Sequence, residues 1–133
     1  MQNELADRCN VIEESYEFML AYAAQGVPGE GGSGRSSQIR HFLTRAAEAM
    51  TGLAGALKGE ALGNFLSVLE RDAADSLAAI ELVLAQPSIS SQLVDNLNAS
   101  IHLRALLTDL FLLDEVLKKR QKAAVQHGSE PRP

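Results

Sequence analysis

Apolar residues recur at intervals of three and four along nearly the whole chain, and this spacing restricts the possible folds more than any other feature of the sequence. Residues at such intervals lie on one face of an α-helix. The apolar residues are mostly Leu and Ala, which favour helices, whereas the β-branched and aromatic types that favour strands are sparse. The first segment shows the pattern in six residues, namely Leu5, Cys9, Ile12, Tyr16, Met19 and Ala23. We therefore expect an all-α protein.

Glycine and proline residues divide this pattern into four segments. Gly26 and Pro28 end the first segment, because glycine is a favoured helix C-cap and proline cannot continue the helix. A corner at Gly59 follows the second segment, and Pro87 ends the third, with Ser88 as the expected N-cap of the fourth. Helices are accordingly expected at about 3–25, 37–57, 60–86 and 88–122.

The remaining stretches lack this periodicity. Residues 26–36 are rich in Gly and Ser and are expected to form a loop, and 123–133 are expected to form a disordered tail. Weak helix formers at 96–100 leave open whether the last helix is continuous or kinked. Four amphipathic helices joined mostly by short turns pack most simply as an antiparallel up-down four-helix bundle, here one domain over 1–122.

The net charge and the short apolar runs of the chain argue against nucleic acid and membrane as partners. There are 17 acidic and 12 basic residues, for a formal net charge of -5, whereas nucleic-acid binding needs a basic face. No run of 18 apolar residues is present, so we expect no membrane span. Acidic residues interrupt any apolar stretch near the N-terminus, so we expect no signal peptide and a cytoplasmic protein.

A four-helix bundle raises the question of a di-iron centre, which needs Glu-x-x-His pairs. The residues three positions before the histidines are Gln38, Ala99 and Ala124, so the pair is absent, and we expect no cofactor and no metal ligand.

The segment 16–26, YEFMLAYAAQG, together with the helix lengths, resembles small bacterioferritin-like proteins, including kinds encoded near carboxysome genes. The resemblance implies a ferritin-like fold and, as an alternative function, metal or haem binding. A haem at a helix interface would use Met, and Met19 and Met50 are available.

His41 raises a second alternative. The run from His41 to Ala47 resembles the phosphoacceptor stretch of histidine-phosphotransfer domains, which are also four-helix bundles. That resemblance implies an exposed His41 as phosphoacceptor, and Leu43 fits the pattern. Thr44 and Arg45 stand where such domains carry Lys-Gly, so the cation would have to come from Arg45. The other interpretation is an ordinary surface histidine, and we expect no phosphotransfer.

Four polar residues share one stripe of the fourth helix: Asp95, Asn98, His102 and Asp109. Acids around a histidine can orient it for acid–base catalysis, or they can form a solvated helix face. No nucleophile accompanies them, so we expect a solvated face and no enzymatic activity.

The apolar surface exceeds what a monomeric bundle needs. The first helix carries a second apolar stripe of Val11, Phe18 and Tyr22, and the fourth is apolar over more than half its circumference. Monomers rarely expose contiguous apolar patches of this kind. The sequence therefore predicts a non-enzymatic bundle that acts through its surface, as a homodimer or with a protein partner. The expected interface residues are Val11, Phe18, Tyr22, Leu106, Leu110, Leu113 and Leu117.

Overall fold

The computed structural model describes the backbone of residues 2–29 and 34–128, and the side chains of 4–29 and 38–120. All secondary structure within these ranges is helical, so the all-α prediction is confirmed. The helices are α1 (Gln2–Ala24), α2 (Gly34–Thr51), α3 (Leu53–Ala56), α4 (Phe65–Leu84), α5 (Ser91–Ala99) and α6 (Ile101–Gly128).

Glycines account for the differences in the middle of the chain. The second predicted helix is interrupted at Gly52, so that α2 ends at Thr51 and α3 is a single turn. The third begins at Phe65 rather than near residue 60, after Gly63 with a φ of 59°. Glycine costs about 1 kcal/mol relative to alanine inside a helix, and the segment 52–63 contains four of them.

Serines determine where the last two helices begin. The Ser90 side chain, not the predicted Ser88, caps α5 by accepting a hydrogen bond from the Leu93 backbone at 3.1 Å. Ser100 is extended, with ψ of 142°, and its hydroxyl accepts from the Leu103 backbone at 3.4 Å. The predicted fourth helix is therefore two helices separated at Ser100.

The predicted loop and tail are both shorter than expected. The second helix starts at Gly34, inside the predicted loop 26–36, and 30–33 lie outside the described residues. The last helix runs to Gly128, past its predicted end at 122. The predicted disorder of 123–133 is therefore wrong up to Gly128, and 129–133 lie outside the described residues.

One buried stripe from each long helix builds the core. Helix α1 packs against α2 and α5, α2 packs against α4, and α4 packs against α6. The largest fully buried side chains are Ile12, Met19, Tyr22, Ile39, Leu43, Leu53, Leu57, Leu69, Ile80, Ile89, Leu103 and Leu106.

Arginine side chains bind the free carbonyl groups where helices end. Arg8 donates to the backbone of Glu48 and Ala49 at the end of α2, at 3.2 and 3.0 Å. Arg40 donates to Leu84 and Gln86 at the end of α4, at 3.0 and 2.7 Å. The last carbonyls of a helix lack partners within it, and a cation suits their partial negative charge. These two basic residues therefore have a structural role.

A set of hydrogen bonds joins the end of α1 to the start of α5. The Tyr22 hydroxyl donates to the Ile89 carbonyl at 2.6 Å, and the Ser91 hydroxyl donates to the Tyr22 carbonyl at 2.6 Å. The Val27 backbone N–H donates to the Ser91 hydroxyl at 2.8 Å, and the Ser91 N–H donates to the Val27 carbonyl at 2.8 Å. This joint holds α1 and α5 together.

Candidate functional site

A groove lies between the first half of α1 and the middle of α6. It encloses about 330 Å³. Its floor is apolar and its rim carries polar and charged side chains. It is lined by Leu5, Ala6, Cys9, Asn10, Glu13, Leu110, Leu113, Asp114, Leu117 and Lys118, and we call this surface the α1–α6 groove.

The break at Ser100 explains why this groove exists. Helix α5 packs against α1, whereas α6 packs against α4 and, among the described residues, makes no comparable contact with α1. The chain therefore leaves α1 at Ser100 and follows α4 instead. Since the joint at Tyr22 and Ser91 holds the other end closed, the gap opens toward the beginning of α1.

Acidic groups dominate the electrostatics of the rim. Burial first, and then the carboxylates of Glu13 and Asp114, raise the pKa of the Cys9 thiol to about 11. The thiol therefore stays protonated at neutral pH and is a poor nucleophile. Lys118 and Asp114 form an exposed ion pair at 3.1 Å, and that hydrogen bond raises the pKa of Lys118. A binding partner that fits this groove would place an apolar group on its floor and positive charges against its acidic rim.

Phe111 follows the groove residue Leu110 in the chain and is 57% exposed. Successive residues of a helix are rotated by about 100°, so Phe111 lies on the same side of α6 as Asp114 and Lys118. We did not predict Phe111 as an interface residue. The signal was present, because 110–113 reads LFLL, and no single helix face can bury four consecutive residues.

The predicted interface residues fall into three groups. Tyr22 and Leu106 are fully buried in the core of the same chain, so their assignment to an outer surface is wrong. Tyr22 is buried because α1 contacts both α2 and α5, and Leu106 is buried where α6 packs against α4. Leu110 and Leu113 are also buried, but with the half-buried Leu117 they form the floor of the groove.

Phe18 and Val11 are half-buried on the side of α1 that faces α2. The Phe18 ring stacks on Phe42, with centroids 4.3 Å apart and planes 15° apart. Much of the second apolar stripe is thus covered within the chain.

Replacing Phe18 by aspartate should therefore lower stability by about 2 kcal/mol, because it removes a stacked aromatic pair and places a charge at a half-buried site. Urea unfolding followed by circular dichroism measures this. An unchanged unfolding midpoint would contradict the packing of Phe18 on Phe42.

His41 is exposed, and its ring meets Phe42 edge-on at 5.6 Å between centroids. Arg45, the cation that phosphotransfer would require, has its guanidinium 5.9 Å from the centre of the Phe42 ring and 3.9 Å from Glu14. The guanidinium therefore contacts α1 and Phe42. The absence of phosphotransfer stays a prediction.

The polar stripe of the predicted fourth helix is divided between surface and interior. Asp95 and His102 are exposed, but Asn98 and Asp109 are buried, so a solvated face is wrong for these two residues. Asp109 contacts Asp72 on α4, which we did not single out from the sequence. Burial first, and then the hydrogen bond to Asp72 and its negative charge, raise the pKa of Asp109 to about 7.

Three further properties bear on metal binding, on haem binding and on a membrane span. Within the described ranges, no three His, Cys, Asp or Glu side chains are grouped closely enough to hold a metal ion. Met19 and Met50, the residues available to a haem in that alternative, are both buried in the apolar core. Of the described helices, none is both long enough and apolar enough to cross a bilayer.

Comparison with known proteins found no match among protein-family models, curated proteins or solved structures. The bacterioferritin-like resemblance therefore stays a prediction.

Proposed function

We propose that this chain is a non-enzymatic antiparallel four-helix bundle that self-associates as a homodimer through the α1–α6 groove. In the proposed bundle, α3 is a turn after the second helix. The fourth helix consists of α5 and α6 together and is broken at Ser100. The observation that carries the proposal is the apolar groove with the exposed Phe111 beside it. Because both features lie on one surface, two copies related by a two-fold axis would each insert Phe111 into the groove of the other.

Charge complementarity supports a second copy as the occupant. Arg104 and Lys118 lie two turns before and after Phe111, so the three residues share one side of α6. On the opposite wall of the groove, α1 presents Glu13, followed one turn later by Glu17. An α6 helix from a second copy would therefore bring an aromatic ring to the floor and cations to the acidic wall.

The affinity of such a dimer follows from what it buries. Covering a half-exposed Phe ring contributes on the order of 1–2 kcal/mol in each half of the dimer, and closure of the groove floor and the rim charges add to it. Association costs an estimated 4–15 kcal/mol in lost freedom of motion. Since the buried ring alone does not offset that cost, we expect a weak dimer, with a dissociation constant on the order of tens of micromolar.

Sedimentation velocity tests the proposal. Wild-type protein should dimerise at tens of micromolar, and Phe111→Asp should weaken the dimer by about 100-fold, because a charge would enter an apolar groove. Leu82→Asp is the matched control, since Leu82 is 67% exposed on α4, away from the groove, and this variant should dimerise like wild type.

Three further results bear on the proposal. Glu13→Lys should also weaken the dimer, because it reverses the charge of the acidic wall. A wild-type protein that stays monomeric at tens of micromolar rules out the dimer. Equal dimerisation of Phe111→Asp and wild type rules out the groove as its site. Circular dichroism on each variant establishes that the helices are retained.

A further inference from the structure

Two aspartates meet where α4 packs against α6. Asp109 of α6 is only 8% exposed, and Asp72 of α4 is half-buried. The Asp109 Oδ2 atom is shielded from solvent and accepts no hydrogen bond from any donor among the described residues. The side chain that contacts Asp109 is another carboxyl group, that of Asp72.

No described positive charge offsets this pair. Two cations lie near the pair in sequence, Arg71 beside Asp72 and Arg104 before Asp109, and both are exposed. Asp75 and His102 face each other at 3.9 Å, two turns along α6 from Asp109. The buried residues described on α1, α2, α3 and α5 include no charged group. Leu106 and Leu113 lie one turn before and after Asp109 and are themselves buried.

Two ionised carboxylates in contact repel each other strongly where water is excluded, and sharing one proton removes that repulsion. A protonated Asp109 can donate its O–H to the Asp72 carboxylate, so the pair then carries one negative charge. We propose that Asp72 and Asp109 form a proton-dependent latch, which holds α6 against α4 while they share a proton and loosens when that proton is lost. This inference goes beyond self-association and does not depend on it.

The pKa of Asp109, raised to about 7, defines the pH range of the latch. In the unfolded chain an aspartate ionises near pH 4, whereas Asp109 in the packed state retains its proton up to about pH 7. The folded state therefore binds more protons than the unfolded state between these values, so stability falls as pH rises from about 4 to about 7 and then levels off.

Amide hydrogen exchange measured by mass spectrometry tests the latch segment by segment. After correction for the intrinsic effect of pH on exchange, peptides from the middle of α6 should exchange at least about tenfold faster at pH 8 than at pH 5.5. Peptides covering the α1–α5 joint should change much less. The measurement uses the full chain at low micromolar concentration, where a weak dimer is mostly dissociated.

Three variants identify the group responsible. Asp109→Asn and Asp72→Asn should each abolish the pH response of α6, since neither leaves two carboxyl groups in contact. Asp75→Asn removes the acid that faces His102 and should keep the full response. Loss of the response in Asp75→Asn alone would assign it to His102 and overturn the proposal. The proposal is also overturned if α6 of the wild-type protein exchanges equally at both pH values, or if the Asp109→Asn variant keeps the pH response. In the background of Phe111→Asp the response should persist, so that failure of the dimer and failure of the latch are distinguishable.

Discussion

Replacing Tyr22 by alanine should lower the free energy of unfolding by about 3–5 kcal/mol, the range for removing a large aromatic side chain from a packed core. Tyr22 is fully buried, and its hydroxyl donates to the Ile89 carbonyl at 2.6 Å. The substitution removes both the buried ring and this hydrogen bond across the joint between α1 and α5. Because whole small domains are stable by only about 5–15 kcal/mol, we expect Tyr22→Ala to lose a large fraction of the protein's stability.

Tyr22→Phe separates the two contributions. It keeps the ring and removes only the hydroxyl, so it should cost about 1–2 kcal/mol, the range for losing one buried hydrogen bond. Chemical denaturation at a concentration well below dimerisation measures both variants. If Tyr22→Ala retained wild-type stability while changing only the oligomeric state, Tyr22 would belong to an intermolecular interface and our placement of it in the core would be wrong.

The sequence predicted correctly which face of α1 is buried, but it did not predict the width of that buried face. Leu5, Ile12 and Met19 lie on the predicted stripe of α1 and are buried, as expected. Tyr22 is rotated from Met19 by about 60° around the helix axis. A helix with neighbours on two sides buries a wide face, but the periodicity of a single segment does not say how many neighbours it has. For this reason a core residue was assigned to a second, exposed stripe.

The positions of the helix ends were also predicted only in part. Gly26, with a φ of 69°, follows the end of α1 as the sequence indicated. The cluster of weak helix formers at 96–100 marked the site of the break, but not whether a break would occur there. That outcome depends on packing, because α5 and α6 lie against different partners. The groove between α1 and α6 follows from this divergence and was therefore not predictable from local propensity.

The contact between Asp72 and Asp109 could not be predicted from the sequence, for a related reason. Asp72 and Asp109 belong to different helices, and their contact depends on the register between α4 and α6. That register is visible only in the structure, where the Ser76 hydroxyl donates to the His102 carbonyl at 2.8 Å. Helical spacing placed Asp109 on a polar stripe, but it carried no information about the acid on the opposite helix.

Ser91→Ala should destabilise the protein by about 2–3 kcal/mol, the cost of leaving a poorly solvated backbone donor without an acceptor while losing a second hydrogen bond. The Ser91 hydroxyl accepts from the Val27 N–H at 2.8 Å and donates to the Tyr22 carbonyl at 2.6 Å. The Tyr22 carbonyl keeps a second donor, the Gln25 N–H at 3.1 Å, so the larger loss falls on Val27. The joint that keeps α1 against α5 would weaken as a result.

Ser90→Ala is the matched control for this experiment. The Ser90 hydroxyl caps α5 and lies next to Ser91 in the chain, but its hydrogen bond stays within one helix. Loss of an N-cap costs typically about 1 kcal/mol. Urea unfolding should therefore rank the proteins as wild type, then Ser90→Ala, then Ser91→Ala. Hydrogen exchange should also increase at residues 22–27 in Ser91→Ala but not in Ser90→Ala. If the two variants were equally stable, the α1–α5 joint would contribute no more than an ordinary helix cap, and the closed end of the groove would need another explanation.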